Sequence, residues 1–463
     1  MSLGLVLSGG GTKGAFEVGA LEYLTRNADF APQVISGTSV GALIGGPLAQ
    51  GATGQDFQRL TQVVRQNALS VTDINAVFGQ KEWLSLIADT PMGQFVHELI
   101  SVRTRPPLPV DGELRRDPLH LKEPARRHRT LYAMSTAITN SPKLLRAGKS
   151  LLADANSIMD LNPLEQGYRG QAELGVNEVH EQFVADSGVR LRLCITNMRD
   201  GRPRYVTETG AVVLEDSITV SSDSGVPGVI EGMLASSSVP MMFPPRRIGP
   251  DSYVDGGIVQ NTPLEAAVLA GATDIVAILA APLRIPQSDV DYTQASMAAV
   301  YARAAADVGP NEVQRANLRY PLPPGGQLTT IAPTVDVVGG FEVEAGLIEI
   351  DFDYGWLRAA EVDADLTAAD RAHLHTLSDE IAEQRERAWF LEDRLLANGF
   401  RVNLASALRK ARARVVAASY EWRTAGLPPR SGMPNWGLDW EQHRQPIPTE
   451  LHAAGQVSLQ SPG

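Results

Sequence analysis

The sequence predicts an α/β fold with a mostly parallel central sheet. Three observations near its start predict it: an apolar run from Leu3 to Leu7 bounded by glycines, a glycine-rich loop passing directly into a helical pattern, and a second short apolar run at Val34-Ile35-Ser36 that turns through glycine into an apolar helix. Strand, glycine loop, helix, strand, turn, helix is the order from which parallel sheets are wound.

Leu3 to Leu7 reads as a short buried strand, because its apolar run does not alternate. Ala15 to Asn27 reads as a helix with Phe16, Ala20 and Leu24 on one face, and a second helix is expected from Val40 to about Gln50. Between Gly51 and Gly188 the pattern weakens. Phe57, Leu60 and Val64 suggest one amphipathic helix and Trp83, Leu84 and Ile87 another, while Pro106, Pro107, Pro109 and Pro124 punctuate the middle. This stretch is expected to be a largely helical insertion with long loops.

Val189, Leu191, Leu193 and Ile195 alternate with Arg190, Arg192, Cys194 and Thr196, the pattern of a half-buried strand. Tyr205 to Thr207 and Val212 to Leu214, separated by Thr209-Gly210, predict a hairpin. A helix from about Pro227 should stop near Val239, because Pro240 disfavours helical geometry in the residue before it. Thr262, Pro263 and Glu265 together form a capping-box signal for a helix ending at Gly271, and Asp274 to Leu279 follows as a strand.

After Ala280 the α/β rhythm is lost. Pro282 to Gly340 reads as loop-rich, and Leu347 to Phe352 alternates like a strand. Leu377, Ile381, Ala388, Leu391 and Leu395 mark a long amphipathic helix, expected to pack on the domain rather than on a membrane. The final ~30 residues, rich in Pro and Gly, are expected to be partly disordered. The expected organisation is one α/β domain over 1–285 containing the insertion at about 51–188, then a C-terminal extension over 286–463.

The net charge of −12 argues against general nucleic-acid binding, which needs a basic surface to displace counterions. A local exception runs from Arg103 to Arg129, with eight basic residues against four acids. It reads as a solvated mixed-charge insert, with contact to anionic headgroups as the alternative. The single cysteine, Cys194, excludes an intramolecular disulfide and reads as core. Met1 to Ser8 lacks a positive n-region and a long apolar run, and no stretch approaches the ~20 apolar residues of a membrane span. A cytoplasmic protein is expected, peripheral on the membrane if it acts on membrane lipids.

Three segments carry chemistry. Gly9-Gly10-Gly11-Thr12-Lys13-Gly14 follows a strand and precedes a helix, whose free N–H groups and positive dipole end favour negative charge there, a phosphate or a developing oxyanion. Gly9, Gly11 and Gly14 also satisfy the dinucleotide-binding spacing, but the second strand ends without the carboxylate that reading requires, and Asp29 falls too early. Lys13 precedes the last glycine instead of following it, unlike a phosphate-binding P-loop.

Gly37-Thr38-Ser39-Val40-Gly41 is a G-x-S-x-G turn between strand and helix, the context of a nucleophile elbow. A base must take the serine proton. Eight histidines are available and none has a persuasive setting; among them His97 is in an apolar helical stretch, His120 and His128 in the charged insert, His373 and His375 two apart on a helix, His443 and His452 in the tail. Tyr253-Val254-Asp255-Gly256-Gly257 supplies a carboxylate at a strand end, with two glycines that let it approach another loop. Burial and a stabilised oxyanion would make it basic enough.

Together these segments resemble the patatin-like phospholipase family, whose pattern is a G-G-G-x-[KR]-G loop, a G-x-S-x-G elbow and a D-G-[GA] motif in that order. Ala235 to Pro245 and Asp255 to Pro263 also look like bacterial members. The resemblance spans about Leu3 to Leu279. It implies a three-layer α/β/α fold and an acyl hydrolase with Ser39 as nucleophile, Asp255 as base, and the Gly10 and Gly11 N–H groups for the oxyanion within the loop Gly9 to Gly14. Gly37 and Gly41 would shape the elbow, Gly256 and Gly257 support the aspartate, and Lys13 be a structural or electrostatic support, not a proton donor. No metal or cofactor is implied, and the partner is a phospholipid or glyceride. The other readings are an acyl-lipid binding protein of the same fold without activity, and a dinucleotide-binding Rossmann protein.

Overall fold

The computed structural model describes residues 2–70, 78–80, 157–171, 178–285, 287–288, 290–295, 299–300, 303–398 and 402–425. The helix expected around Trp83 to Ile87, the four insert prolines, the basic stretch and the C-terminal tail lie outside them.

β1 (Leu3–Leu7) leads through a 3-10 turn (Gly11–Lys13) into α1 (Gly14–Leu24); β2 (Val34–Thr38) leads into α2 (Val40–Leu48) and then α3 (Gly54–Ser70). β3 (Gly79–Gln80) and β4 (Met159–Asp160) form a small antiparallel pair, followed by α4 (Asn162–Tyr168) and α5 (Glu181–Asp186). Then come β5 (Arg190–Asn197), β6 (Pro203–Thr207), β7 (Val212–Val213), α6 (Val229–Ser236), β8 (Arg246–Ile248), β9 (Asp251–Asp255), α7 (Leu264–Leu269) and β10 (Asp274–Ile278). The chain ends its described part with α8 (Gly309–Asn317), β11 (Gln327–Ile331), α9 (Ala345–Asp363), α10 (Ala368–Asn398) and α11 (Val402–Thr424).

The main sheet runs β11-β10-β1-β2-β5-β6-β7, with β9 also on β5 and β8 on β9. Its first five strands are parallel, and β6, β7, β8 and β9 are antiparallel additions. Both faces are covered. Leu5 and Leu7 face one apolar core with Phe16, Ile44 and Phe352, while Val6 faces a second with Val34, Leu264 and Ile275. Burial on both sides is why β1 reads as a continuous apolar run.

Four local expectations are corrected. β5 is buried on both faces, not half-buried, because its alternating polar side chains are paired inside: Arg192 binds Ser217 and Glu208, and Arg190 reaches the Ala270 carbonyl. The capping box at Thr262 does not form. Pro263 stands at the N-cap, no side chain caps the helix, and the Thr262 hydroxyl is buried without a partner. Pro282 to Gly340 is not only loop, since it holds α8 and the parallel edge strand β11.

Leu347 to Phe352 is helical, inside α9. This helix is buried nearly all round, so its acids do not mark a solvent face. Glu349 meets Arg65 of α3, Asp351 accepts the Phe16 N–H of α1, and Asp353 meets Arg385 of α10. Paired acids at every second residue imitate strand alternation. The backbones of α1 and α9 nearly touch: a Cβ on Gly19 would lie 1.8 Å from the Phe352 carbonyl oxygen, and one on Gly355 1.9 Å from that of Phe16.

The long amphipathic helix is present as α10. It packs on α9 and α11, with Leu391 and Leu395 meeting Leu404, Leu408 and Val415. No helix among the described residues is long and apolar enough to cross a membrane.

Candidate active site

The site is built where β2 and β9 meet head-on along one edge of β5. Thr38 ends β2 opposite Cys194, and Asp255 ends β9 opposite the next residue, Ile195. The other edge of β5 is taken by β6 over Arg192 to Thr196. Two strands running in opposite directions therefore bring their last residues together, and Ser39 follows immediately after Thr38.

Ser39 has φ 54° and ψ −123°, a conformation a non-glycine residue adopts only under strain, and it is 7% exposed. The turn is tight enough to need its flanking glycines. A Cβ on Gly37 would lie 2.4 Å from the Gly41 carbonyl oxygen, and one on Gly41 2.5 Å from that of Leu7. The glycine loop passes beside it: a Cβ on Gly9 would fall 3.2 Å from Ser39 Cβ, and one on Gly14 2.4 Å from Val40.

Asp255 is buried at the strand end. Its Oδ1 accepts the Gly257 N–H at 2.6 Å, and Gly256 allows the turn to lie against the Cys194 carbonyl. Burial raises its pKa to about 6, against the opposing pull of hydrogen bonds from the Ser39 hydroxyl and the Gly257 N–H. The Ser39 contact is nevertheless loose. Oδ2 is buried without a hydrogen bond of normal geometry, as is common between a nucleophile and its base before substrate tightens the site.

Not every N–H of the glycine loop is available. Gly9 donates to the Asn261 carbonyl at 2.9 Å and Thr12 to that of Gly340 at 2.8 Å. Among the described residues the Gly10 and Gly11 N–H groups have no acceptor, so the six-residue loop offers these two as anion donors. Below them Glu17 is fully buried and accepts the Ser8 N–H at 2.7 Å; burial raises its pKa well above the ordinary range, against the pull of the Ser8 hydrogen bonds. Lys13 points away, 2.8 Å from Asp336.

Sequence reasoning missed the residues that hold this arrangement. Ser236 Oγ accepts the Ser39 N–H at 2.9 Å and donates to the Cys194 carbonyl at 2.6 Å. Ser237 Oγ donates to the Ser39 carbonyl at 3.1 Å, and the Ser238 carbonyl accepts the Asp255 N–H at 3.0 Å. Three consecutive serines thus bind both the elbow and the aspartate. The Gln260 carbonyl accepts the Thr38 hydroxyl at 2.7 Å, and Asn261 holds Gly9. A buried serine triplet before Pro240 was the one available signal.

Cys194 is buried, and burial followed by the charge of Asp255 pushes its thiol far above the usual range, so it is inert core as expected. The described histidines are elsewhere. His373 pairs with Glu421, His375 with Thr334, and His180 stacks on Phe183. His97, His120, His128, His443 and His452 lie outside the described residues. No cluster of potential metal ligands occurs among the described residues.

A family model for patatin-like phospholipases matches residues 5–268, more than half of the chain. No curated protein matches. Among solved structures, VipD from Legionella pneumophila is 14% identical, with 99% of this chain and 89% of that one covered and a TM-score of 0.30. ExoU in its heterodimer with SpcU, from the type III secretion system of Pseudomonas aeruginosa, is 16% identical, with 98% and 74% covered and a TM-score of 0.22.

Proposed function

The chain belongs to the patatin-like phospholipase family, and from that membership we propose that it is a serine-dependent lipid acyl hydrolase working through a Ser39–Asp255 dyad. Ser39 Oγ attacks the ester carbonyl carbon while Asp255 takes its proton. The carbonyl oxygen becomes an oxyanion, for which the Gly10 and Gly11 N–H groups are the donors. Collapse expels the alcohol, which takes the proton back from Asp255, and leaves an acyl ester on Ser39. Water then attacks that ester, again giving a proton to Asp255; the Ser39 Oγ–acyl bond breaks, Oγ takes that proton back, and the fatty acid leaves with both groups restored. Each step uses only side chains and amides of this chain.

The observation that supports this reading is that a strained serine and a buried carboxyl with one oxygen unpaired lie at the ends of two strands meeting on β5, with the glycine loop passing beside the serine. The raised Asp255 pKa supports it, since a carboxylate titrating at about 6 is a better base than an exposed one yet remains ionised at neutral pH.

The test is hydrolysis of a panel of phospholipids and glycerides by the full chain, with Ser39→Ala and Asp255→Asn as controls and a fluorophosphonate probe for the nucleophile. Hydrolysis lost in both variants and a probe adduct on Ser39 are expected. Full activity in either variant defeats the dyad. A wild type without adduct or hydrolysis would leave a lipid-binding protein of the same fold.

A further inference from the structure

The glycine loop is held from a part of the chain far beyond the region the family model covers. Lys13 Nζ meets Asp336 Oδ1 at 2.8 Å, with the two side chains 12% and 9% exposed. Four residues on, the Gly340 carbonyl oxygen takes both the Thr12 N–H at 2.8 Å and the Thr12 hydroxyl at 3.2 Å. Gly11 sits at φ +60°, and a Cβ there would lie 2.0 Å from the same oxygen, so the two stretches touch backbone to backbone. In the first turn of α1, the Phe16 N–H is taken by Asp351 of α9 at 3.2 Å.

The gripping segment is itself fixed. Arg358 Nε donates to the Ala332 carbonyl at 3.1 Å, and the Thr334 N–H donates to the Tyr354 hydroxyl at 2.9 Å. That hydroxyl donates to Asp379 of α10 at 2.6 Å, and the Thr334 hydroxyl meets His375 at 2.8 Å. Residues 332–340 therefore form a strut anchored on α9 and α10 and ending on the loop. Lys13 remains a cation there: burial favours its neutral form, but Asp336, Asp307 and Asp351 outweigh burial and raise its pKa.

We propose that the Lys13–Asp336 ion pair, with the Gly340 carbonyl on Thr12, sets the direction of the Gly10 and Gly11 N–H groups, so that Asp336 is a positioning residue of the oxyanion site. The inference rests on the hydrolase reading. Its physical basis is short leverage. Thr12 and Lys13 directly follow the two donor amides in a three-residue turn, so a shift of the pair turns the donors away from the oxyanion. An error of about 1 Å in such a group is enough to cost roughly 100-fold in rate.

The experiment uses the full chain with Asp336→Asn, Lys13→Met and Lys13→Arg. It reads kcat and KM on a soluble p-nitrophenyl ester and amide hydrogen exchange across residues 9–16. Asp336→Asn and Lys13→Met are expected to lower kcat by roughly 10- to 100-fold with KM within about twofold, and to speed exchange in the loop; Lys13→Arg keeps kcat within about threefold. Wild-type kcat or unchanged loop exchange in Asp336→Asn would overturn the proposal. Should that variant not fold, Lys13→Met against Lys13→Arg puts the same question from the other partner, and equal kcat in the two would overturn it. A wild type that neither hydrolyses the ester nor takes a fluorophosphonate on Ser39 would refute the hydrolase reading instead. The exchange measurement would still decide whether Asp336 holds the loop.

Discussion

The Ser39 amide hydrogen-bonds the hydroxyl of Ser236 at 2.9 Å, and that hydroxyl in turn spends its proton on the Cys194 carbonyl at 2.6 Å. A single buried oxygen thus ties the strained elbow to β5, the strand against which Asp255 of β9 also pairs. Its neighbours continue the tie, Ser237 to the Ser39 carbonyl and Ser238 to the Asp255 amide.

Ser236→Ala should therefore damage geometry more than binding. It leaves the Ser39 N–H and the Cys194 carbonyl unpaired in a buried site, at a cost of about 1–3 kcal/mol for each. The expected result is a lower unfolding midpoint and a kcat reduced by roughly 10-fold or more with little change in KM. Steady-state kinetics with Ser237→Ala as a milder comparison would check it. Wild-type kcat in Ser236→Ala would show that the hydroxyl does not aim the serine.

Strain at Ser39 makes a separate forecast. Its φ of 54° costs about 1–3 kcal/mol in a residue with a Cβ, and glycine escapes that cost. Both Ser39→Ala and Ser39→Gly should abolish hydrolysis. Urea unfolding should nonetheless find Ser39→Gly the more stable of the two, by about 1 kcal/mol after glycine's extra entropy in the unfolded chain. An alanine variant as stable as the glycine variant would mean the elbow is relaxed.

Asp255 predicts opposite pH trends for activity and stability. As the proposed base it must be ionised, so kcat/KM should rise with pH and level off above an apparent pKa of about 6. Ser39→Ala, which removes a hydrogen bond that lowers this value, should move the carboxyl titration upward. For stability the sign reverses. The folded-state pKa lies above the unfolded one, so the group's contribution is fully present below pH ~4 and is lost as pH rises through about 6, a change of about 3 kcal/mol. Asp255→Asn should accordingly be inactive yet more stable than wild type at pH 8, with the gain vanishing near pH 4. A pH-independent difference between the two proteins in denaturant titrations would remove the argument.

The three motifs were legible because each packs its chemistry into five or six consecutive residues flanked by readable elements. Ser39, Asp255 and the Gly10-Gly11 pair needed only the strand, turn, helix context to stand out. What joins them was not legible. The serines at 236–238 act through one hydroxyl or carbonyl each, a role no side-chain periodicity announces. Asp336 and Gly340 reach the loop across 323 and 328 residues of chain. The misreading of Leu347 to Phe352 has a related cause: buried acids in α9 are satisfied by Arg65, the Phe16 amide and Arg385, none of them near in sequence. Local pattern rules assume that charge means solvent, and here charge means a distant partner.

The same distance makes the α1–α9 crossing a test of how far the C-terminal part supports the site. Gly19 and Gly355 let the two helix backbones approach until a Cβ at either would sit within 2 Å of the opposite carbonyl oxygen. Alanine cannot be absorbed by a rotamer change, because the obstacle is backbone, so the helices must separate. Overpacking of this kind costs about 1–3 kcal/mol and occasionally more. Gly355→Ala is expected to lower the unfolding free energy by at least that much, read as a lower urea midpoint. Since α9 carries Asp351 on the Phe16 amide and Tyr354 under Thr334, activity should fall even under conditions where the variant stays folded. If Gly355→Ala unfolds at the wild-type midpoint, the close approach is not a constraint; if it is destabilised but fully active when folded, the crossing stabilises the protein without governing the site.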